Sequence, residues 1–150
     1  MPASDIVSDQ SIVERLLAAP WVTVAARLAV AAPFLVSGTT KFVDFAGAVA
    51  EVRGLTGLEP AEFFAALVIL VQLGGSVLLI VGGRYTWLGA GLLAGFTMVA
   101  TLYAHAFWLK PAAEQFLHRS IFTEHVAIVG GLILVAVLAN RDGSVTSKRH

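Results

Sequence analysis

The chain has 150 residues, 57% of them hydrophobic and only 13% charged, with ten basic residues against ten acidic ones. Soluble domains carry about 25% charged residues, so this composition, with a mean hydropathy of +0.82, excludes a water-soluble domain and points to a chain solvated by lipid. Zero net charge excludes nucleic-acid binding, and the absence of cysteine excludes disulfides, thiol redox chemistry, thiolate zinc sites and iron–sulfur ligation.

The first residues carry Asp5, Asp9 and Glu14, where a signal peptide would place a positive segment and then a short apolar core. They are read as a retained N-terminus. Ile12, Val13, Leu16 and Leu17 make the apolar stripe of a short surface helix. A spanning helix needs about 20 mainly apolar residues, and four segments qualify, at about 20–42, 61–82, 86–109 and 120–140. Trp21, Tyr85, Trp87 and Trp108 fall at or near span ends, where amphipathic rings prefer the interface. Pro20, Pro60 and Pro111 punctuate ends and connectors. The connector from Lys41 to Glu59 alternates polar residues with Phe42, Phe45, Val49 and Val52, and is expected along the membrane surface. The fold class is therefore all-α: an integral membrane four-helix bundle with short connectors and interfacial helices, one membrane domain over 1–150.

Glycines recur inside the spans. Gly74-Gly75 and Gly130-Gly131 each precede an apolar run, a faint internal repeat that close helix packing explains more simply. Gly91-x-x-x-Gly95 is likewise read as internal packing rather than a dimer seam. An even number of spans puts both termini on one side, with Arg15, Arg84, Arg141, Lys148 and Arg149, against Lys41, Arg53, Lys110 and Arg119 on the other. The tail cluster favours a cytoplasmic location for both termini.

An ionisable residue inside a span costs about 2.5–3.5 kcal/mol on insertion scales, so each invites an explanation. Helical spacing aligns Arg27, Ala31, Phe34, Gly38 and Lys41 in the first span. The same spacing aligns Glu62, Ala65, Ile69, Gln72 and Ser76 in the second, and Gly91, Ala94, Met98, Thr101, His105 and Trp108 in the third. The fourth opens with Glu124-His125. Because successive spans alternate in direction, Lys41, Asp44, Glu62, His105, Trp108, Lys110, Glu124 and His125 gather at one membrane face, with Glu114 and His118 from the connector. Interfacial anchoring accounts for much of this cluster. His105 has a sharper reading: one turn inside the span end, with Trp108 at i+3, it offers a redox lipid headgroup an aromatic wall and a proton-exchanging partner. Metal or haem ligation by His105, His118 and His125 lacks a ligand-spaced pair on any one helix. Arg27 lies about 10 Å into its span from the opposite face. It is read as a structural lock, with Tyr85, Asn140, backbone carbonyls, Glu14 or Asp142 as partners. No P-loop, dinucleotide fingerprint or HExxH motif occurs.

These residues resemble the DoxX family of small bacterial four-helix membrane proteins. Arg27, Phe34, Ser37-Gly38 and Lys41-Phe42 are similar to its first-helix pattern, and Gly74-Gly75 with Gly82 and Arg84 to its second. His105-Ala106-Phe107-Trp108 resembles its His-x-Phe-Trp motif, the most specific of these likenesses. Phe122 leading to Gly130-Gly131-Leu132 resembles its last helix, so the likeness runs over about 22–140. Two positions depart from the pattern: Gln72 where many relatives carry glutamate, and Glu124-His125 where some carry Lys-Asn. The first removes a buried carboxylate and the second adds a titratable histidine. The resemblance implies a bacterial inner-membrane protein, in a family named for a subunit of a thiosulfate:quinone oxidoreductase, with some members linked to redox-stress complexes.

The leading functional reading is a membrane subunit that interacts with a quinone or with a redox complex in oxidative-stress or sulfur-related metabolism. His105 and Trp108 would line a quinone headgroup site, with Lys41, Glu62, Glu124 and His125 nearby, while Arg27 and Gln72 are structural intramembrane polar residues. The alternative is a non-enzymatic scaffold that recruits soluble redox or stress-defence enzymes, and a small transporter ranks last. Besides the lipid bilayer, expected partners are soluble redox enzymes and a second copy of the chain.

Overall fold

The computed structural model describes the backbone of residues 11–147 and the side chains of residues 11–140. Asp5, Asp9, Arg141, Asp142, Lys148 and Arg149, invoked above for the N-terminus, the Arg27 partner and the tail cluster, lie outside the residues whose side chains are described.

Six α-helices follow in order: α1 (Ile12–Leu17), α2 (Pro20–Val43), α3 (Phe45–Thr56), α4 (Ala61–Val81), α5 (Thr86–Ala104) and α6 (Ala112–Ser147). Short 3-10 turns, Gly83–Tyr85 and Phe107–Leu109, stand before and after α5. No strand occurs among the described residues. Among the described residues, four segments are long and apolar enough to cross a membrane: Pro20–Val43, Ala61–Val81, Gly83–Leu109 and Ala112–Asn140. The protein is an all-α, multi-pass membrane bundle. Many of its large apolar side chains point outward, Val36, Leu70, Val81, Ile133 and Leu134 among them, as suits a surface whose solvent is hydrocarbon.

Local chemistry sets the helix ends. Ser11 and Glu14 form a reciprocal capping box on α1 (Ser11 N to Glu14 Oε2 2.8 Å, Glu14 N to Ser11 Oγ 3.2 Å). The α1 residues Ile12, Val13, Leu16 and Leu17 stay exposed, the arrangement of a helix resting on an apolar surface. Pro20 opens α2, where its missing N–H costs no helical bond. Asp44 caps α3 by accepting from Gly47 N at 2.9 Å. The connector expected along the membrane surface is this helix. It buries Ala48, Val49 and Val52 against Ala61, Ala65 and Phe64 of α4. Gly57, at φ +67°, turns the chain back as the C-cap of α3. Arg53 and Glu59 then pair at 2.6 Å, and Glu59 also accepts from Ala61 N at 2.9 Å.

In the bundle, α4 packs between α2 and α5, and α5 between α4 and α6. Ala31, Phe34, Leu79, Ala90, Leu93 and Leu132 form its buried centre. The tightest crossing is glycine on glycine: a Cβ on Gly89 would come within 2.7 Å of Gly75 O and 2.9 Å of Leu79 N. Gly38 serves the α2–α4 crossing, where a Cβ would meet Leu73 at 2.8 Å. The remaining span glycines behave differently. Gly91, Gly95 and Gly130 have open space where a Cβ would stand, so the Gly91-x-x-x-Gly95 pattern is not internal packing within this chain. Gly75 faces α5 whereas Gly131 faces Val30 of α2, so the two glycine pairs have different neighbours.

Two expected spans begin or end elsewhere. The segment expected at 86–109 leaves its α-helix after Ala104, with His105 as C-cap at φ −125°. Thr97 and Thr101 donate their hydroxyls to Leu93 O and Thr97 O, bonds that loosen a helix just before such an exit. The fourth helix starts at Ala112, directly after Pro111, well before the expected residue 120. The buried face of α5 is also rotated from the expected stripe: it is Thr86, Gly89, Ala90, Leu93, Thr97 and Thr101, whereas Gly91 and Met98 face outward. A helix apolar on every side carries little rotational information, and the Gly75–Gly89 contact decides.

Candidate functional site

Where α2 and α5 end and α4 and α6 begin, the bundle opens into a chamber of about 490 Å³, within the range of small-molecule sites. Phe34, Phe64, Leu67, Val68, Phe96, Val99 and Ile128 give it apolar walls. α3 roofs it with Glu51, Val52 and Leu55. Its polar groups are Ser37, Lys41, Glu51, Thr56, Gln72, Thr97, Tyr103, His105 and His125.

These groups form two networks. On the α2–α4 side, Lys41 Nζ reaches Glu51 Oε2 at 2.9 Å and Ser37 Oγ at 3.3 Å, while Gln72 Nε2 donates to the same Ser37 Oγ at 3.1 Å. Gln72 is only 3% exposed, and its Oε1 is buried with no hydrogen-bond partner among the described residues. An unmatched buried carbonyl of this kind costs about 1–3 kcal/mol.

On the α5–α6 side, Thr101 Oγ1 lies 2.6 Å from His125 Nδ1. Because the Thr101 hydroxyl donates to Thr97 O at 2.6 Å, its oxygen accepts from His125 Nδ1–H, which leaves Nε2 as the exchangeable nitrogen. His105 Nδ1 meets His118 Nδ1 at 3.0 Å, one ring donating and the other accepting. His118 Nε2 lies 3.7 Å from Glu114 Oε2, a carboxylate 55% exposed. The rings of His105 and His125 stand edge-to-face at 5.4 Å. Glu114, His118 and His105 thus make a line of titratable groups from the protein surface to the chamber wall.

The residues expected at a headgroup site divide accordingly. Lys41, His105 and His125 line the chamber, joined by Gln72. Trp108 does not: 53% exposed, it packs on Phe107 and Phe122 with ring centroids 5.1 and 5.8 Å away. His105 and Trp108 share no helical face, because α5 ends at Ala104, before both of them. Glu62 sits outside the chamber, 3.5 Å from Arg53, and Glu124 is exposed on α6. At the other end of the bundle Arg27 lays its guanidinium against Gly82, the C-cap of α4, whose φ of +80° and missing Cβ leave room for it. The negative end of the α4 dipole suits that cation.

Sequence reasoning missed Glu51, Ser37, Thr97 and the aromatic walls. Thr97 and Thr101 at i, i+4 were a usable signal. Glu51 was not, since only the folding of α3 over the bundle brings it to Lys41. Outside the spans, Glu59 is the one carboxylate with a resolved displacement among the described residues. Its hydrogen bond from Arg53, and then the one from Ala61 N, holds it below its ordinary value.

The sequence model of the DoxX family matches residues 22–106, more than half of the chain. The chain belongs to the DoxX family. The DoxX match takes in α2 to α5 and ends at residue 106, so Phe107-Trp108 of the His-x-Phe-Trp likeness and the likeness at Phe122 and Gly130-Gly131-Leu132 fall beyond it. No curated protein and no solved structure matches the chain.

Proposed function

We propose that this DoxX-family protein binds the headgroup of a quinone in the chamber, as the membrane subunit of a redox complex in the bacterial inner membrane. The observation that carries the reading is the chamber's composition: apolar walls of ring-accommodating size, with Lys41, Gln72, His105 and His125 at its polar margin. A quinone ring needs those two features together, an apolar slot and hydrogen-bond partners for its two oxygens. His105 bonds one ring oxygen and exchanges protons with it, and the Glu114–His118 line resupplies His105 from the surface. Reduction of a quinone to its quinol adds two electrons and two protons. The protons travel through His105, and the electrons come from a soluble redox partner, because a chain without cysteine has no thiol donor of its own. The quinol's hydroxyl is then the donor that Gln72 Oε1 lacks. With both termini cytoplasmic, the chamber sits near the periplasmic face.

The test is binding of a short-chain quinone to detergent-purified protein, read by tryptophan quenching. Wild type binds saturably, and His105→Ala weakens binding by about tenfold, the loss of one good hydrogen bond. Equal affinity in the two proteins would remove His105 from the site. No saturable binding to wild type would sink the quinone reading and leave the scaffold that recruits soluble redox enzymes.

A further inference from the structure

On the outer face of the α4–α5 pair runs a second, shallower depression of about 370 Å³, almost wholly apolar. Leu67, Val68, Phe96 and Val99 belong both to this groove and to the chamber wall. The two spaces therefore adjoin along these four side chains. The groove floor beyond the shared residues is Gly91 and Gly95, whose missing side chains leave open space. From Val99 to Gly91 it follows α5 for about 12 Å, away from the polar end of the chamber.

We infer that this glycine-floored groove is the lateral portal through which the chamber's ligand enters from the lipid and in which its isoprenoid tail lies while the headgroup reaches Gln72 and His105. The inference rests on the quinone reading above and extends it to how the ligand enters and which part of it the surface recognises. Three observations converge on it. The groove opens toward lipid, since Leu67, Gly91, Leu92, Gly95 and Val99 are all exposed on the bundle exterior. It adjoins a chamber lined by Gln72, whose buried Oε1 has no hydrogen-bond partner among the described residues. Glycines whose Cβ would touch no other helix give a membrane helix no packing benefit, and here they floor a groove between Leu92, Phe96 and Val99. A tail moving from lipid into such a groove gains little hydrophobic energy, because both surroundings are apolar. The groove therefore acts sterically: it decides whether a tailed headgroup can enter at all.

The experiment compares wild type with the double variant Gly91→Leu/Gly95→Leu in lipid nanodiscs, using two probes with the same benzoquinone ring, one with a decaprenyl tail and one with a single isoprene unit. A Cβ at either position meets nothing within 4 Å, leucine fills the groove against Leu67, Val68 and Val71 from outside the packed core, and it favours the helix, so the variant is expected to fold. Gly130→Leu, on an equally open part of α6, controls for added bulk on the lipid face. Expected are a loss of affinity for the long-tailed probe of about tenfold or more, less than about twofold for the short one, and no change in the control. Equal affinities of variant and wild type for the long probe would overturn the portal and leave the headgroup site standing. Equal weakening of both probes would also overturn it, since the substitutions would then be acting on the chamber. If neither probe binds wild type, the headgroup reading fails and the portal with it. A change of oligomeric state in the variant, by light scattering, would assign the groove to a second copy instead.

Discussion

The two ends of the bundle use small and polar residues in opposite ways. At the end holding the α4–α5 turn, small residues remove space: Gly75 and Gly89 bring two backbones together, and Gly82 receives the Arg27 guanidinium. At the end holding α3 and the histidines, bulky Phe34, Phe64 and Phe96 stand around a void, α3 covers it, and polar side chains from five helices line it. Glycine therefore marks no single role in this bundle. Where a neighbouring helix lies over it, glycine makes a crossing; where none does, as at Gly91 and Gly95, it makes a groove.

The largest expected effect tests the closed end. Gly89→Leu drives side-chain atoms into Gly75 O and Leu79 N, which are backbone and cannot move aside, so we expect a destabilisation above the usual 1–3 kcal/mol of overpacking, about 3 kcal/mol or more, or failure to fold. Thermal unfolding in detergent checks it, and a Gly89→Leu protein as stable as Gly91→Leu would break the contrast between covered and open glycines. Gly82→Ala comes next, with a loss of about 1–2 kcal/mol from the left-handed backbone and the displaced Arg27. Arg27→Met should abolish part of that penalty if the two positions act together, which a double-mutant cycle reads directly.

At the open end the expected changes fall on binding more than on stability. Gln72→Leu removes the buried oxygen that lacks a partner, so the ligand-free protein should unfold at an unchanged or slightly higher temperature. Quinone affinity should fall by about fivefold to tenfold in the same variant. A fall in stability with unchanged affinity would make Gln72 a packing residue only. The smallest effect belongs to the exposed Arg53–Glu59 pair beside α3. The folded protein holds the Glu59 carboxyl below its unfolded value, so its contribution is complete above the unfolded pKa of about 4.3 and is lost as pH falls through the folded one. Glu59→Gln should flatten the acid limb of a pH–stability profile slightly, and added salt should shrink the difference further.

Much of this architecture was legible without coordinates. The four spans follow from apolar runs of bilayer length, and the face where the histidines collect follows from alternating helix direction, which brings His105, His118 and His125 together. The details of the site were not. His105 and Trp108 read as one helical face until the helix stops at Ala104, and Trp108 then turns to Phe107 and Phe122. Glu62 and Lys41 stand equally near the same membrane face in sequence, yet Glu62 pairs with Arg53 outside the chamber and Lys41 with Glu51 inside it.

The chain's own composition and periodicity thus determined that it is a membrane protein, which segments are long and apolar enough to cross, and at which end of the bundle the three histidines collect. These depend on hydropathy and helix length, properties that each segment carries alone. The tertiary structure alone decided the rotation of α5, the chamber under α3, the unpartnered Gln72 oxygen, and which glycines are covered. Those depend on how one helix lies against another, and a helix apolar on every side cannot say in advance which of its faces will be buried.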